Sequence, residues 1–184
     1  MKHVFAALAV SACLAAPALA ELNVGDTAPE FQAEGYLGGD AFSFDLAASL
    51  AEGPVVLYFF PAAFTSGCNV EAALFAESAA EFTAAGATLI GVTAGNTDRL
   101  AEFSEQHCAS AFPVAAVGSD VISAYRAGLM LRPGWTNRTS YVIAPSGVIA
   151  YVHTDLNPDQ HVSLTLQALH DLGYGNAEEA PAAE

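Results

Sequence analysis

The chain has 184 residues, with 20 acidic side chains against 5 lysines and arginines and a formal net charge of −15. Because a surface this acidic repels phosphate, the composition excludes a nucleic-acid-binding protein and disfavours binding to anionic membranes. The apolar content of 53% is enough for the core of a single domain, and three cysteines are too few for a disulfide scaffold or a structural zinc site.

The first twenty residues have the pattern of a secretory signal peptide. A basic start at Lys2 precedes an apolar run over residues 4–14, and small residues lead up to Ala20. This pattern predicts cleavage after Ala20 and a periplasmic or secreted protein. An alternative is a lipobox ending at Cys13, whose lipid would then be the one expected attachment to a membrane.

The remaining chain is predicted to contain one domain, over residues 21–174, followed by a disordered acidic tail over residues 175–184. Turn residues, apolar runs and helix-forming stretches alternate along this domain. The predicted elements are, in chain order, a docking segment (22–31), a hairpin tip (35–40), a strand (55–60), a helix (68–85), a strand (87–93), a helix capped by Asn96 or Thr97 and running to His107, a strand (112–117), a short helix (119–127), a hairpin (139–144 and 148–152), and a last helix (157–172).

This order of elements indicates an α/β fold. Parallel pairing of the early strands needs right-handed crossovers, which the intervening helices provide, whereas the closing hairpin is antiparallel. We expect a thioredoxin-like fold in which a central mixed β-sheet is flanked by helices.

The strongest chemical signal follows the strand at residues 55–60. There the sequence Pro-Ala-Ala-Phe-Thr-Ser-Gly-Cys places Cys68 at the predicted start of a helix. Free N–H groups and the helix dipole favour a thiolate at that position. Thr65 lies across the same loop, and Pro61 is positioned to fix the loop and screen the sulfur from water.

The Pro-x-x-x-Thr-x-x-Cys pattern after a strand ending in Tyr-Phe-Phe resembles the signature of the AhpC/TSA-type peroxiredoxin family. Residues 64–72 are most similar to its bacterioferritin-comigratory (PrxQ) branch. A second segment, over residues 138–147, resembles the arginine-then-hairpin segment of that family. The resemblance runs from about Val24 to Leu172.

This resemblance implies a thioredoxin-dependent peroxidase that protects the cell against peroxides. Cys68 would be the peroxidatic cysteine that attacks a hydroperoxide, Arg138 would supply positive charge to the thiolate and the peroxide, and Thr65 would orient the peroxide. The implied partners are the hydroperoxide and a thioredoxin-like or other thiol reductant. Neither a cofactor nor a metal is implied, and the protein would be a monomer or a homodimer.

The chain departs from the PrxQ pattern at the resolving cysteine. Many members of that branch carry it five residues after the first cysteine, where this chain has Ala73. Cys108 is the remaining candidate, although our alignment places the family's helix cysteine nearer Ser104, one turn earlier. The alternative is that Cys108 is a structural thiol and that an external thiol resolves the reaction.

Each candidate residue also has a purely structural interpretation. Cys68 could be an inert buried thiol, Thr65 a helix cap, Pro61 a strand terminator and Arg138 a surface residue.

A thioredoxin-like oxidoreductase would need Cys-x-x-Cys, but position 65 is Thr. A redox-inactive binding module remains a second alternative. The aromatic side chains of Phe64 and Trp135 are candidates for the pocket lining, and the histidines lack the spacing of metal ligands.

Overall fold

The computed structural model describes residues 21–175. The predicted signal peptide, the lipobox alternative at Cys13 and nearly all of the predicted tail lie outside the described residues. Within the described range, no helix is long and apolar enough to cross a membrane.

One mixed sheet of seven strands organises the chain, in the order β2-β1-β5-β4-β3-β6-β7. The central strands β3, β4 and β5 are parallel, and all other neighbours are antiparallel. The strands are β1 (Gln32–Leu37), β2 (Asp40–Asp45), β3 (Val55–Phe59), β4 (Thr88–Thr93), β5 (Val114–Ala116), β6 (Thr139–Ile143) and β7 (Ile149–Thr154).

Helices cover both faces of this sheet, which confirms the predicted α/β fold class. They are α1 (Leu46–Glu52), α2 (Ser66–Glu77), α3 (Ala79–Ala84), α4 (Leu100–Gln106), which follows a 3₁₀ turn (Thr97–Arg99), α5 (Ser119–Ala124) and α6 (His161–Asp171). Because side chains alternate along a strand, β3 contributes to two cores. Val56 and Tyr58 pack with α2, α4 and α6, whereas Val55, Leu57 and Phe59 pack with α1 and the region of α5.

Two local predictions are wrong, and one helix was not predicted. The single helix expected over residues 68–85 is broken at Ser78 into α2 and α3. Helix α1 was not predicted, although Asp45 caps it by accepting a hydrogen bond from the Ala48 N–H at 3.1 Å. Asn96 does not cap a helix, because its backbone is left-handed and its side chain is directed elsewhere.

The N-terminal part matches its prediction in outline. The segment before β1 docks on β7, where the Gly25 N–H donates to the Ile149 carbonyl at 2.9 Å. The hairpin tip is confined to Gly38 and Gly39, which both have positive φ, and paired strands extend over the rest of the predicted tip. The hairpin therefore adds two strands to the edge of the sheet.

Substitution of Gly91 tests the packing of the central strands. Tyr58 is opposite Gly91 in the β3–β4 ladder, and a Cβ at Gly91 would lie 2.6 Å from the Tyr58 ring. That ring is fully buried and stacks on Phe75, so it has little room to move. We expect Gly91→Ala to lower the free energy of unfolding by about 1–3 kcal/mol, as measured by urea denaturation.

Gly128→Ala is the matched control. A Cβ there would meet only the Ile122 side chain at 3.5 Å, an ordinary contact. Equal stability of the two variants would contradict the packing described for Tyr58.

Candidate active site

The candidate site lies where β3 ends and α2 begins. Thr65 occupies the N-cap position of α2, and Cys68 is the third residue of the helix. The first backbone hydrogen bond of the helix runs from the Asn69 N–H to the Thr65 carbonyl, at 2.9 Å. The N–H groups of residues 66–68 therefore precede the helical hydrogen-bond ladder, and the positive end of the helix dipole lies at the turn that carries Cys68.

The Thr65 hydroxyl does not cap the helix, contrary to the structural interpretation of this residue. It donates to the Ala62 carbonyl at 3.1 Å, and no helix N–H donates to it. The Thr65 hydroxyl oxygen, in the loop between β3 and α2, can therefore still accept a hydrogen bond.

The loop between β3 and α2 is fixed by residues at the end of β4. The Thr93 hydroxyl donates to the Pro61 carbonyl at 3.2 Å, and the Asn96 amide donates to the Ala63 carbonyl at 2.8 Å. Phe64 has a φ of 60°, in the left-handed region that side chains rarely adopt. These contacts hold the loop in a conformation that it would not adopt alone.

Arg138, the residue before β6, reaches the same place. Because β6 is antiparallel to β3, with Phe59 opposite Thr139, Arg138 lies beside the C-terminal end of β3. Its Nη2 donates to the Cys68 Sγ at 3.6 Å, and its Nε donates to the Leu156 carbonyl at 3.0 Å. Arg138 is only 3% exposed, so its charge acts in a medium of low polarity.

Glu71 completes the environment of Arg138, although it was not among the residues predicted for the site. It lies one turn after Cys68 on α2, is fully buried, and its Oε2 accepts a hydrogen bond from Arg138 Nη1. Burial raises the pKa of Glu71 to about 8, although the neighbouring Arg138 acts in the opposite direction. The signal for Glu71 was its helical spacing from Cys68, which places both side chains on one face.

His161, the first residue of α6, is also buried beside this cluster. Its Nδ1 is 2.8 Å from the Ser140 hydroxyl, and its Nε2 is 2.9 Å from the Asp155 carbonyl. Burial lowers the pKa of His161 to about 4. No feature of the sequence distinguishes this histidine from the others.

Cys108, the candidate resolving cysteine, lies just after α4. It is fully buried and free, in the core that also contains Cys68, and burial raises the pKa of its thiol far above the usual range. It follows α4 instead of belonging to it: the Cys108 N–H bonds the Phe103 carbonyl at 3.3 Å, five residues back. Cys108 therefore does not share a helical face with Ser104, contrary to the prediction.

Phe64 and Trp135, the two aromatic candidates for the pocket lining, each pack against an arginine other than Arg138. Phe64 packs edge-on against Phe103, and the Arg99 guanidinium lies 3.8 Å from the centre of its ring. The Trp135 ring has the Arg132 guanidinium at 3.5 Å. Over residues 21–175, no group of three or more His, Cys, Asp or Glu side chains is placed to hold a metal ion.

Comparison with known proteins gives a consistent set of similarities. The model of the AhpC/TSA family matches residues 24–152. A chloroplastic peroxiredoxin Q of Oryza sativa subsp. japonica is 30% identical over 120 residues, which cover 65% of this chain and 55% of the rice protein. A Mycobacterium tuberculosis protein named as a peroxiredoxin is 28% identical over 158 residues, which cover 84% of this chain and 100% of its own.

Solved structures agree with the fold. The crystal structure of peroxidoxin BcpB from Mycobacterium tuberculosis has a TM-score of 0.72 at 27% identity, covering 81% of this chain and 97% of that chain. Mycobacterium tuberculosis AhpC also has a TM-score of 0.72, at 21% identity over 89% of this chain and 98% of its own, which supports the fold alone. The chain spans little more than half the length of the rice relative.

The close approach of Arg138 to α2 depends on Gly67. A Cβ at Gly67 would lie 3.0 Å from Arg138 Nη2. We expect Gly67→Ala to displace the guanidinium from the Cys68 sulfur and to slow alkylation of Cys68 by iodoacetamide about 3–10-fold. The site of alkylation is verified by peptide mass spectrometry.

Ser66→Ala, at an exposed position in the same turn, is the matched control and should react at the wild-type rate. Alanine favours helix over glycine, so slower alkylation of Gly67→Ala would not reflect loss of α2. A wild-type alkylation rate in Gly67→Ala would show that the Arg138 contact does not activate the sulfur.

Proposed function

Because the chain belongs to the AhpC/TSA family, we propose that it is a thiol-dependent peroxidase in which the Cys68 thiolate attacks a hydroperoxide. The observation that carries this proposal is the 3.6 Å contact between Arg138 Nη2 and the Cys68 Sγ at the start of α2. A buried guanidinium and a helix N-terminus together stabilise negative charge on sulfur, and the thiolate is the nucleophilic form.

The proposed first step oxidises the sulfur and reduces the peroxide. The thiolate attacks the terminal oxygen of the hydroperoxide, a sulfur–oxygen bond forms and the oxygen–oxygen bond breaks. Cys68 becomes a sulfenic acid, and the leaving alkoxide or hydroxide takes a proton to give an alcohol or water. Substrates are hydrogen peroxide or organic hydroperoxides.

Neighbouring groups support this step in distinct ways. The N–H groups of the first turn of α2 and the Arg138 guanidinium stabilise the charge that moves onto the peroxide oxygens. The free acceptor capacity of the Thr65 hydroxyl suits it to orient the peroxide O–H. Pro61, whose carbonyl is bound by Thr93, holds the loop that covers the sulfur.

A second stage returns Cys68 to the thiol. In this proposal, the Cys108 thiol attacks the sulfenic sulfur, which releases water and forms a disulfide, and two external thiols then reduce that disulfide. The external reductant is a thioredoxin-like protein or another thiol. The protein acts as a monomer or a homodimer, after the export predicted from residues 1–20.

In this proposal, the segment after α4 opens when that disulfide forms. Cys108 is fully buried, and a disulfide needs the two Cα atoms within about 7 Å of each other. Ala109 and Ser110 follow it with φ values of 48° and 58°, and consecutive left-handed residues that are not glycine store strain. Release of this strain favours local opening of the segment.

The alternatives from other classes have less support. A thiol–disulfide oxidoreductase needs a second cysteine where the chain has Thr65. A redox-inactive binding module would not require the buried Arg138 beside the Cys68 thiol. The relatives named above are peroxiredoxins.

The central test is hydrogen peroxide removal with dithiothreitol as the reductant. We expect Cys68→Ser to lose this activity completely, because a serine hydroxyl is not ionised at neutral pH and forms no sulfenic acid. Circular dichroism of the variant confirms that it is folded. If the variant and the wild type remove peroxide equally fast, the proposed function is wrong.

Intact mass and peptide mapping test the role of Cys108. After one equivalent of peroxide, we expect the wild type to contain an intramolecular Cys68–Cys108 disulfide. Cys108→Ser should instead accumulate the sulfenic acid of Cys68, which dimedone traps, and should proceed to the sulfinic acid with more peroxide. Sulfenic or sulfinic Cys68 in the wild type, without the disulfide, would assign resolution to an external thiol.

A further inference from the structure

We propose that Thr93 and Asn96, at the end of β4 and in the loop that follows it, are positioning residues for the reaction of Cys68 with peroxide. Their side-chain hydrogen bonds hold residues 61–64, and through them Thr65, in the arrangement that receives the peroxide. This inference rests on the proposed function, because Thr65 has a peroxide to orient only if the chain reduces one.

Hydrogen bonds of the ladder type between β3 and β4 continue beyond the end of β3. The Phe60 N–H donates to the Val92 carbonyl at 3.0 Å, and three residues further the Ala63 N–H donates to the Gly95 carbonyl at 3.1 Å. The loop after β4 therefore runs alongside the active-site loop, and its own side chains can bind the backbone groups of that loop.

Thr93 binds the active-site loop at Pro61, with a hydroxyl whose direction is fixed. The Gly95 N–H can only donate, so the Thr93 oxygen, 3.0 Å away, accepts its hydrogen. The one hydrogen of the hydroxyl is then directed to the Pro61 carbonyl, 3.2 Å away. Because Thr93 is fully buried, loss of its hydroxyl would leave two backbone groups unpaired.

The two loops approach too closely for a side chain at position 95. A Cβ at Gly95 would lie 2.5 Å from the Ala62 Cβ and closer still to the Pro61 carbonyl oxygen. Ala62 and Ala63 are fully buried in this contact. Groups packed this tightly cannot move independently, so the loop after β4 determines the position of the active-site loop.

Asn96 fixes the peptide bond between Ala63 and Phe64. Its amide donates to the Ala63 carbonyl at 2.8 Å, which sets the direction of that carbonyl. The peptide unit is planar, so turning this carbonyl away would also rotate the N–H of Phe64 and change its φ. That rotation would move Phe64 from its φ of 60° to a negative φ, which its side chain favours. The Asn96 amide therefore retains a strained conformation at Phe64.

The conformation of Phe64 determines where Thr65 lies. The Thr65 hydroxyl donates to the Ala62 carbonyl at 3.1 Å, across the turn that contains Phe64. Turning the peptide before Phe64 would carry Thr65 away from this carbonyl and redirect its hydroxyl. Arg138 reaches Cys68 from the residue before β6, outside this loop. Loss of either side-chain contact should therefore impair the orientation of the peroxide and not the stabilisation of the thiolate.

Two rates, measured on the full chain, separate these effects. Stopped flow gives the second-order rate of Cys68 oxidation by hydrogen peroxide, whereas alkylation by iodoacetamide reports the thiolate without an oriented peroxide. We expect Thr93→Val, which keeps the shape of the side chain, to slow oxidation about 10-fold and not to slow alkylation. Thr93→Ser keeps the hydroxyl and should restore the oxidation rate.

Asn96→Gly tests the amide separately. Glycine adopts the left-handed backbone of this position freely, so the substitution removes the donor without adding strain. We expect oxidation by peroxide to be about 3–10-fold slower and alkylation not to be slowed, because one hydrogen bond at an exposed side chain is lost.

Thr88→Val, at the opposite end of β4, and Asn23→Gly, at an exposed position before β1, are the matched controls and should keep both wild-type rates. If Thr93→Val does not fold, as judged by circular dichroism, Asn96→Gly decides. A wild-type oxidation rate in either variant, or a parallel fall of oxidation and alkylation, overturns the inference and leaves the proposed function standing. A wild type that does not react with peroxide refutes the proposed function, and the inference with it.

Discussion

The constraint on which this structure depends is the burial of one positive charge. Among residues 21–175, Arg138 is the only buried lysine or arginine. Removing a guanidinium from water costs several kcal/mol unless its donors are paired. Each of its three nitrogens donates to a different acceptor: the Leu156 carbonyl after β7, the Glu71 carboxyl on α2 and the Cys68 sulfur on α2. The need to pair this charge therefore ties α2 to the β6–β7 hairpin.

The topology of the sheet makes this pairing possible. A thiol after β3 and a cation before β6 are about seventy positions apart in sequence, at 68 and 138. They meet because β6 lies antiparallel beside β3, which brings the beginning of one strand to the end of the other. Gly67 then lets the guanidinium approach α2, since a Cβ there would lie 3.0 Å from it. The antiparallel pairing of β3 with β6 and the absence of a side chain at Gly67 together create the contact between Arg138 and Cys68.

The sequence predicted those parts of the site whose residues are unusual for their position. Cys68 and Arg138 stand out because thiols and cations are rare in this chain, and a continuous apolar run marks β3. Glu71 did not stand out, because a glutamate in an Ala- and Glu-rich helix normally faces water, and only the tertiary packing of α6 shows that it is buried. The break at Ser78 and the orientation of Asn96 also depend on tertiary contacts: the Asn96 amide bonds the Ala63 carbonyl, which local sequence cannot indicate.

Aromatic packing connects the regions around Cys68 and Cys108, in addition to the proposed disulfide between the two thiols. Phe60 and Phe64, in the segment leading to Cys68, both contact Phe103, and Phe103 contacts His107, the neighbour of Cys108. Interiors are close-packed, so Cys108 cannot leave its site without loosening the ring against which the Cys68 loop rests. Exposure of one thiol therefore weakens the packing of the other.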